Sequence, residues 1–270
     1  HSDQMRILFL GDIVGEPGRK AVIQQLSNIK RKYSIDFSIV NGENSAGGRG
    51  ITPKIAKELF AAGVQVITTG DHVWDQRELL DYLPNEPKIL RPINYPPGTP
   101  GNGSVVLETE FGKIAVLNAQ GRTFMNPPLE NPFTIVENEV KRLTDEGVKI
   151  VFLDFHAETT SESIAMGFHL DGTVSAVVGT HTHVQTADER ILPKGTAHLT
   201  DAGMCGPEIS VLGRNVESVV WRFKSGLPTR FPVAKGPVRL CGMIVDIDPE
   251  SGRATHVERY NHLLSPSEMA

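Results

Sequence analysis

Carboxylates and imidazoles recur along this sequence just where short apolar runs stop. Asp12 follows the run 6–10, Glu43 lies in Asn41-Gly42-Glu43-Asn44 after the run 36–40, and Asp71-His72 follows residues 64–69. His156 comes soon after Leu153, and His181-Thr182-His183 comes soon after Val178. Taken singly, each has a plainer reading: Asp12 as a turn or cap acid, Glu43 as a solvated loop acid, His156 as a satisfied core histidine. The pair His181 and His183 says more, because two imidazoles one residue apart on a short extended segment project toward a common point. Five loops bearing such groups favour a metal centre over coincidence. Oxygen and imidazole donors without thiolates suit iron, manganese or zinc, and the set is large enough for two ions sharing a carboxylate.

The elements that must position these groups follow a β-α grammar. Residues 6–10 read as a buried parallel strand, and Val22, Ile23, Leu26 and Ile29 recur at helical spacing behind Pro17. Residues 36–40 form the next strand, 41–50 a glycine-rich loop, Thr52-Pro53 a helix start, and 64–69 a third strand. Between 88 and 132 prolines and glycines interrupt the pattern, and the runs 104–107 and 113–117 suggest a sheet edge or a second sheet. A helix from Asn131-Pro132, a strand over 148–153, a helix from about Thr160 and a strand over 174–178 restore the alternation. Past Ala197 the chain reads as antiparallel, with strands over 238–247 and 254–260 and one helix near 216–223. In such sheets ligands collect at the carboxyl ends of the strands, so distant residues meet in one crevice. The long loops near 91–103 and 119–132 are expected to cover that site.

Composition narrows the class. A chain of 270 residues, 39% hydrophobic and 22% charged, fits one globular domain, expected over residues 5–262. No apolar run approaches the roughly 20 residues that span a bilayer, so no membrane partner is expected. The net charge of -5 lacks the basic surplus of a duplex-DNA binder. Cys205 and Cys241 stand far apart, which gives neither a disulfide framework nor a thiolate zinc site and suits a reducing cytoplasm. Residues 1–4 precede Met5 without a signal peptide's apolar stretch and read as an appended remnant, so His1 is left out of the site.

Five ordered motifs resemble the YmdB-like branch of the calcineurin-like metallophosphoesterases: Gly11-Asp12-Ile13-Val14-Gly15, Asn41-Gly42-Glu43-Asn44, Gly70-Asp71-His72-Val73-Trp74-Asp75, Asp154-Phe155-His156-Ala157-Glu158 and Gly179-Thr180-His181-Thr182-His183-Val184. The resemblance runs from about Met5 to Tyr260. It implies an α/β fold of two sheets flanked by helices in α/β/β/α layers, and hydrolysis of phosphodiesters, notably 2′,3′-cyclic nucleotides. It also implies a ligand partition. One ion would take Asp12, Glu43 and His183 with Asn44 close by; the other would take Glu43 as bridge, Asp71, His156 and His181; His72 would face the substrate. Position 14 is Val where the wider superfamily usually has a histidine, a lack shared with this branch. Asp71 stands where the third motif usually carries a neutral Asn, which is particular to this chain.

The expected chemistry is attack on phosphorus by a hydroxide bridging two ions, divalent or trivalent, iron or manganese foremost and zinc or magnesium as alternatives. His72 would protonate the leaving ribose oxygen. Arg122 and Arg49 are candidate phosphate clamps, although an ordinary surface arginine is the plainer reading of each. Asp154 and Asp201 are candidates to orient ligand imidazoles, with Asp201 equally readable as a turn acid, and Trp74 is expected to pack beneath the third loop, base stacking being the lesser reading. Expected partners are a small phosphodiester or nucleotide, RNA fragments, and further copies of the chain. Rival readings are a phosphomonoesterase acting on nucleotides or phosphoproteins, and a regulatory RNA- or nucleotide-binding protein that keeps its metals as struts.

Overall fold

The computed structural model describes residues 3–270, so His1 and Ser2 of the expected remnant lie outside the described residues. The chain opens with β1 (Met5–Leu10), β2 (Asp12–Ile13), α1 (Gly15–Tyr33), β3 (Phe37–Asn41), α2 (Pro53–Ala61), β4 (Val66–Thr68) and the short α3 (Glu78–Tyr82). Its middle holds β5 (Ser104–Thr109), β6 (Gly112–Gln120), α4 (Pro132–Asp145), β7 (Ile150–His156), α5 (Thr160–Leu170) and β8 (Ala176–Thr180). The remainder is β9 (Arg190–Ile191), β10 (Ala197–Leu199), β11 (Met204–Pro207), α6 (Val216–Ser225), β12 (Val238–Ile247) and β13 (Ala254–Leu263).

These strands make two sheets. One runs β2-β11-β12-β1-β3-β4 with β13 added on β12, and the other runs β5-β6-β7-β8-β10-β9. The pattern within β1 shows why they stack. Met5, Ile7 and Phe9 join the core between the sheets, where Phe9 stacks on Phe152 with ring centroids 5.5 Å apart. Leu8 and Leu10 point the other way, into a core with Val22, Leu26 and Ile29 of α1 and Ile55 and Leu59 of α2. A third core joins Leu117, Leu153 and Phe155 to Val136, Val140 and Met166 of α4 and α5. The result is the four-layer α/β/β/α sandwich. Strands buried on both faces need continuous apolar runs, as residues 7–10 of β1 and 150–153 of β7 supply.

Local chemistry sets the helix starts. Thr52 accepts from Ile55 N at 3.2 Å with Pro53 in the first turn, and Asn131 accepts from Phe133 N at 3.0 Å ahead of Pro132. β7 extends three residues past its expected end at Leu153, and β8 ends at Thr180, not Val178. Asp154 and His156 stay in the strand because β6 and β8 pair with them on both sides, in the register Asn118↔Asp154↔Val178 and Gln120↔His156↔Thr180. The antiparallel expectation for the last third holds for β12 with β1, β11 and β13. It fails for β10, which lies parallel to β8, and for β11 against β2. The runs near 104 and 113 become the hairpin β5–β6, with β5 at the edge of the second sheet.

Candidate metal centre

The carboxyl ends of β1, β3, β4, β7 and β8 open on one place. Four atoms from Glu43, Asp71, His156 and His181 lie within 4.8 Å of one another. His156 Nε2 is 2.7 Å from Glu43 Oε1, 2.9 Å from Asp71 Oδ1 and 3.2 Å from His181 Nδ1, and that last nitrogen is 3.3 Å from Asp71 Oδ1. Beside this cluster stand Asp12, Asn44 and His183. His183 Nε2 is 3.1 Å from the Asn44 amide nitrogen and 4.0 Å from Asp12 Oδ1, and the same Asn44 nitrogen is 3.4 Å from Glu43 Oε1. Glu43 thus touches both groups.

The site asks for positive charge. Asp12 and Glu43 are buried and Asp71 largely so, yet among the described residues no lysine or arginine pairs with any of the three. Asp12 Oδ1 is buried without a hydrogen-bond partner. Burial pushes the Asp12 carboxyl well above its usual range. Burial would depress His156, but Glu43 and Asp71 overcome it and raise the imidazole well above its ordinary value. Burial also works to raise Asp71, and its hydrogen bonds with His156 and His181 hold it below the carboxylate range. Buried carboxylates are tolerated when a cation compensates them. Glu43 and Asp71 favour a proton on His156, and oxygen and imidazole donors at this spacing fit a metal ion that would compensate the carboxylates in its place.

Supporting contacts aim these side chains. His156 Nδ1 donates to Thr180 Oγ1 at 2.7 Å, and that hydroxyl donates to Asp154 Oδ1 at 2.6 Å. Asp154 also accepts from Thr68 Oγ1 at 2.5 Å and Asn41 Nδ2 at 2.9 Å. The proton on Nδ1 is thereby fixed and Nε2 faces the cluster. His183 Nδ1 donates to Leu212 O at 3.0 Å, which likewise leaves Nε2 facing Asn44 and Asp12. His181 Nε2 pairs with Glu158 Oε2 at 2.9 Å, so Nδ1 faces inward. Gly70 has its own reason: a Cβ there would lie 2.2 Å from the His156 ring.

One sequence expectation needs correction. His181-Thr182-His183 is not an extended segment: His181 and His183 take φ of 102° and 70°, in the left-handed region that non-glycine residues rarely occupy. Asp201 holds the turn by accepting from Thr182 N at 3.0 Å, Thr182 Oγ1 at 2.8 Å and Gly203 N at 2.8 Å. The two imidazoles accordingly serve neighbouring groups of ligands, not one point. Asp201 orients the loop backbone and touches no imidazole; Asp154 reaches His156 only through Thr180.

His72 lies at the rim, with its amide donating to Glu43 Oε2 at 3.0 Å, Nδ1 2.8 Å from Asp75 Oδ2 and Nε2 3.8 Å from Asp71 Oδ2. Trp74 packs edge-on against Tyr95, with centroids 5.6 Å apart. Arg49 and Arg122 are exposed, and neither guanidinium has a hydrogen bond or ion pair among the described residues. Sequence reasoning missed Thr180, Thr68, Asn41, Glu158 and Asp75 as supports. All but Thr68 sit inside the five motifs, which was the available signal.

A four-layer sandwich with carboxylates and imidazoles gathered at its strand ends is the layout of the metal-dependent phosphoesterases. The profile of the YmdB-like protein family matches residues 8–260, and the chain belongs to that family. It is 49% identical over 255 residues to the 2′,3′-cyclic-nucleotide 2′-phosphodiesterase of Bacillus subtilis, covering 94% of this chain and 96% of that one. A crystal structure described as a novel phosphatase from Mycoplasma pneumoniae superposes with a TM-score of 0.91 at 35% identity, covering 98% of this chain and 96% of that one. A hypothetical protein from Thermus thermophilus superposes with a TM-score of 0.89 at 40% identity, covering 96% and 99%.

Proposed function

We propose that this protein hydrolyses small phosphodiesters, 2′,3′-cyclic nucleotides foremost, at a centre of two metal ions. The observation that carries the reading is the place of Glu43, buried between Asp71, His156 and His181 on one side and Asn44 and His183 on the other. One ion would be held by Asp12, Glu43 and His183 with Asn44 beside them, the other by Glu43, Asp71, His156 and His181. The donor set suits iron or manganese. Bound metal would neutralise charge on the phosphoryl oxygens and make water a nucleophile near neutral pH.

The residues around the centre divide the remaining work. When the bond from phosphorus to the 2′ oxygen breaks, that oxygen needs a proton, and His72 would supply it. Asp75 at 2.8 Å holds the ring by Nδ1 and leaves Nε2 free for the leaving group. Hydrolysis on that side leaves a nucleoside 3′-phosphate. The high similarity to the Bacillus subtilis enzyme supports this substrate class.

The test is a side-by-side assay of 2′,3′-cyclic AMP, bis-p-nitrophenyl phosphate and p-nitrophenyl phosphate with added manganese, together with metal analysis. Preference for the monoester would favour a phosphatase, and activity on none would favour a binding protein. His72→Ala should keep its metal and lose about 10²–10⁴ of the rate on the ribose leaving group, with a smaller loss on nitrophenyl substrates, which depart without a proton. Equal losses on both would remove His72 as the acid.

A further inference from the structure

Five non-glycine residues among those described take a left-handed backbone: Ser34, Phe124, His181, His183 and Leu212. Such strain persists where the surrounding structure enforces it, and it gathers at functional sites. Four of the five have an evident reason. Ser34 ends α1, His181 and His183 aim their imidazoles into the centre, and Leu212 offers the carbonyl that fixes His183. Phe124 is left over, and it is 86% exposed, the most exposed of the large apolar residues described.

The backbone that carries the ring is held in place. It occupies the third position of a turn closed by Met125 N to Arg122 O at 3.3 Å, with φ 56°, a position that usually takes glycine or asparagine. Buried Glu162 accepts from Arg122 N at 3.0 Å and Thr123 N at 3.3 Å on one side of it, and Met125 is buried on the other. The loop leaves β6 beside a candidate ligand: Gln120 pairs with His156, and Gly121 N donates to His156 O at 2.9 Å. Three residues of chain reach at most about 10 Å, so the Phe124 backbone lies within that distance of Gly121, at the His156 end of β7.

We infer that Phe124 is the stacking platform for the nucleobase of the substrate, an inference that rests on the cyclic-nucleotide reading above. An aromatic face accepts any base, and more strongly the larger ones. The contact would hold the nucleoside while its phosphate lies on the centre, so it acts on KM more than on kcat.

Phe124→Ala and Phe124→Trp are compared with wild type on 2′,3′-cyclic AMP, 2′,3′-cyclic CMP and the base-free methyl riboside 2′,3′-cyclic phosphate. In Phe124→Ala the ratio of kcat/KM for cyclic AMP to that for the base-free ester should fall about ten- to hundredfold, through KM. The cyclic CMP ratio should fall less, and Phe124→Trp should retain both. An unchanged ratio in Phe124→Ala overturns the inference alone, and so does a loss shared equally by the base-free ester. An unchanged ratio with a new monomer in sedimentation velocity would identify the ring as a contact between copies. A wild type that turns over none of the cyclic esters overturns this inference and the functional reading together.

Discussion

Replacing Thr180 by valine tests how the centre is held without touching a candidate ligand. Valine keeps the shape and the β-branch that suit β8, and it removes only the hydroxyl. That hydroxyl accepts from His156 Nδ1 at 2.7 Å and donates to Asp154 Oδ1 at 2.6 Å, and all three residues are fully buried. The variant leaves a buried N–H without an acceptor and takes one of three side-chain donors from a buried carboxylate. At about 1–3 kcal/mol for each of the two groups left short of a partner, the metal-free protein should lose roughly 2–6 kcal/mol. Glu43 and Asp71 favour a proton on Nε2 as well when metal is absent, so a tautomer shift offers no escape, and with Nδ1 unpartnered nothing holds Nε2 on the cluster. Metal affinity should therefore fall about 10–100-fold, the usual effect of losing such a support.

Two measurements check the argument. Denaturant unfolding of the metal-free protein gives the stability term, and competition with a chelator gives the affinity term. Thr180→Ser keeps the hydroxyl and should sit close to wild type in both. A valine variant that binds metal as tightly as wild type would refute the claim that this hydroxyl fixes the imidazole.

Two other perturbations follow from the charges. Asp71→Asn removes a carboxylate from a cluster whose only compensation among the described residues is imidazole. Metal retention should weaken by on the order of tenfold or more, and the acid limb of kcat/KM should move to lower pH because the centre becomes more positive. Unchanged retention with an unmoved limb would sink that reasoning. His183 is held neutral by burial, which pushes its pKa from 6.5 down to about 4. The unfolded chain thus takes up this proton first, and the stability present above about pH 6.5 is lost as pH falls toward 4, up to roughly 3 kcal/mol. Unfolding of metal-free His183→Gln should lack this component, so the gap between wild type and variant should narrow on acidification; a constant gap contradicts it.

Much of this was legible because it depends on local pattern. The apolar run of β1 announces a strand buried on both faces, and Thr52-Pro53 announces a helix start. The five loops that carry the candidate residues could be read together because parallel strands bring their ends to one side. The end of β7 was misplaced since Asp154 and His156 look like loop residues. Their polar groups are satisfied by Asn41, Thr68 and Thr180, which arrive from β3, β4 and β8. No local rule supplies such partners. The left-handed turn at His181 and His183 was invisible for the same reason, because Asp201 enforces it from about 20 residues away. Strands of two to four residues, such as β2 and β9 to β11, are too short to carry a period.

The features that sequence patterns hid are also the ones that cost the fold energy. Buried Asp12 with an unpartnered oxygen, Glu43 and Asp71 without a lysine or arginine, and two histidines on a left-handed backbone all weaken a protein that does nothing with them. They sit at strand ends outside the three apolar cores, so the sandwich can carry them without losing its packing. A cation that enters there removes the charge cost and justifies the strain at once. The same free energy then appears twice, as affinity for metal and as recovered stability. On the proposed role of His156 as a ligand, the buried hydroxyls and amides around it would serve that coupling, because an accurately aimed nitrogen would turn the fold's cost into binding.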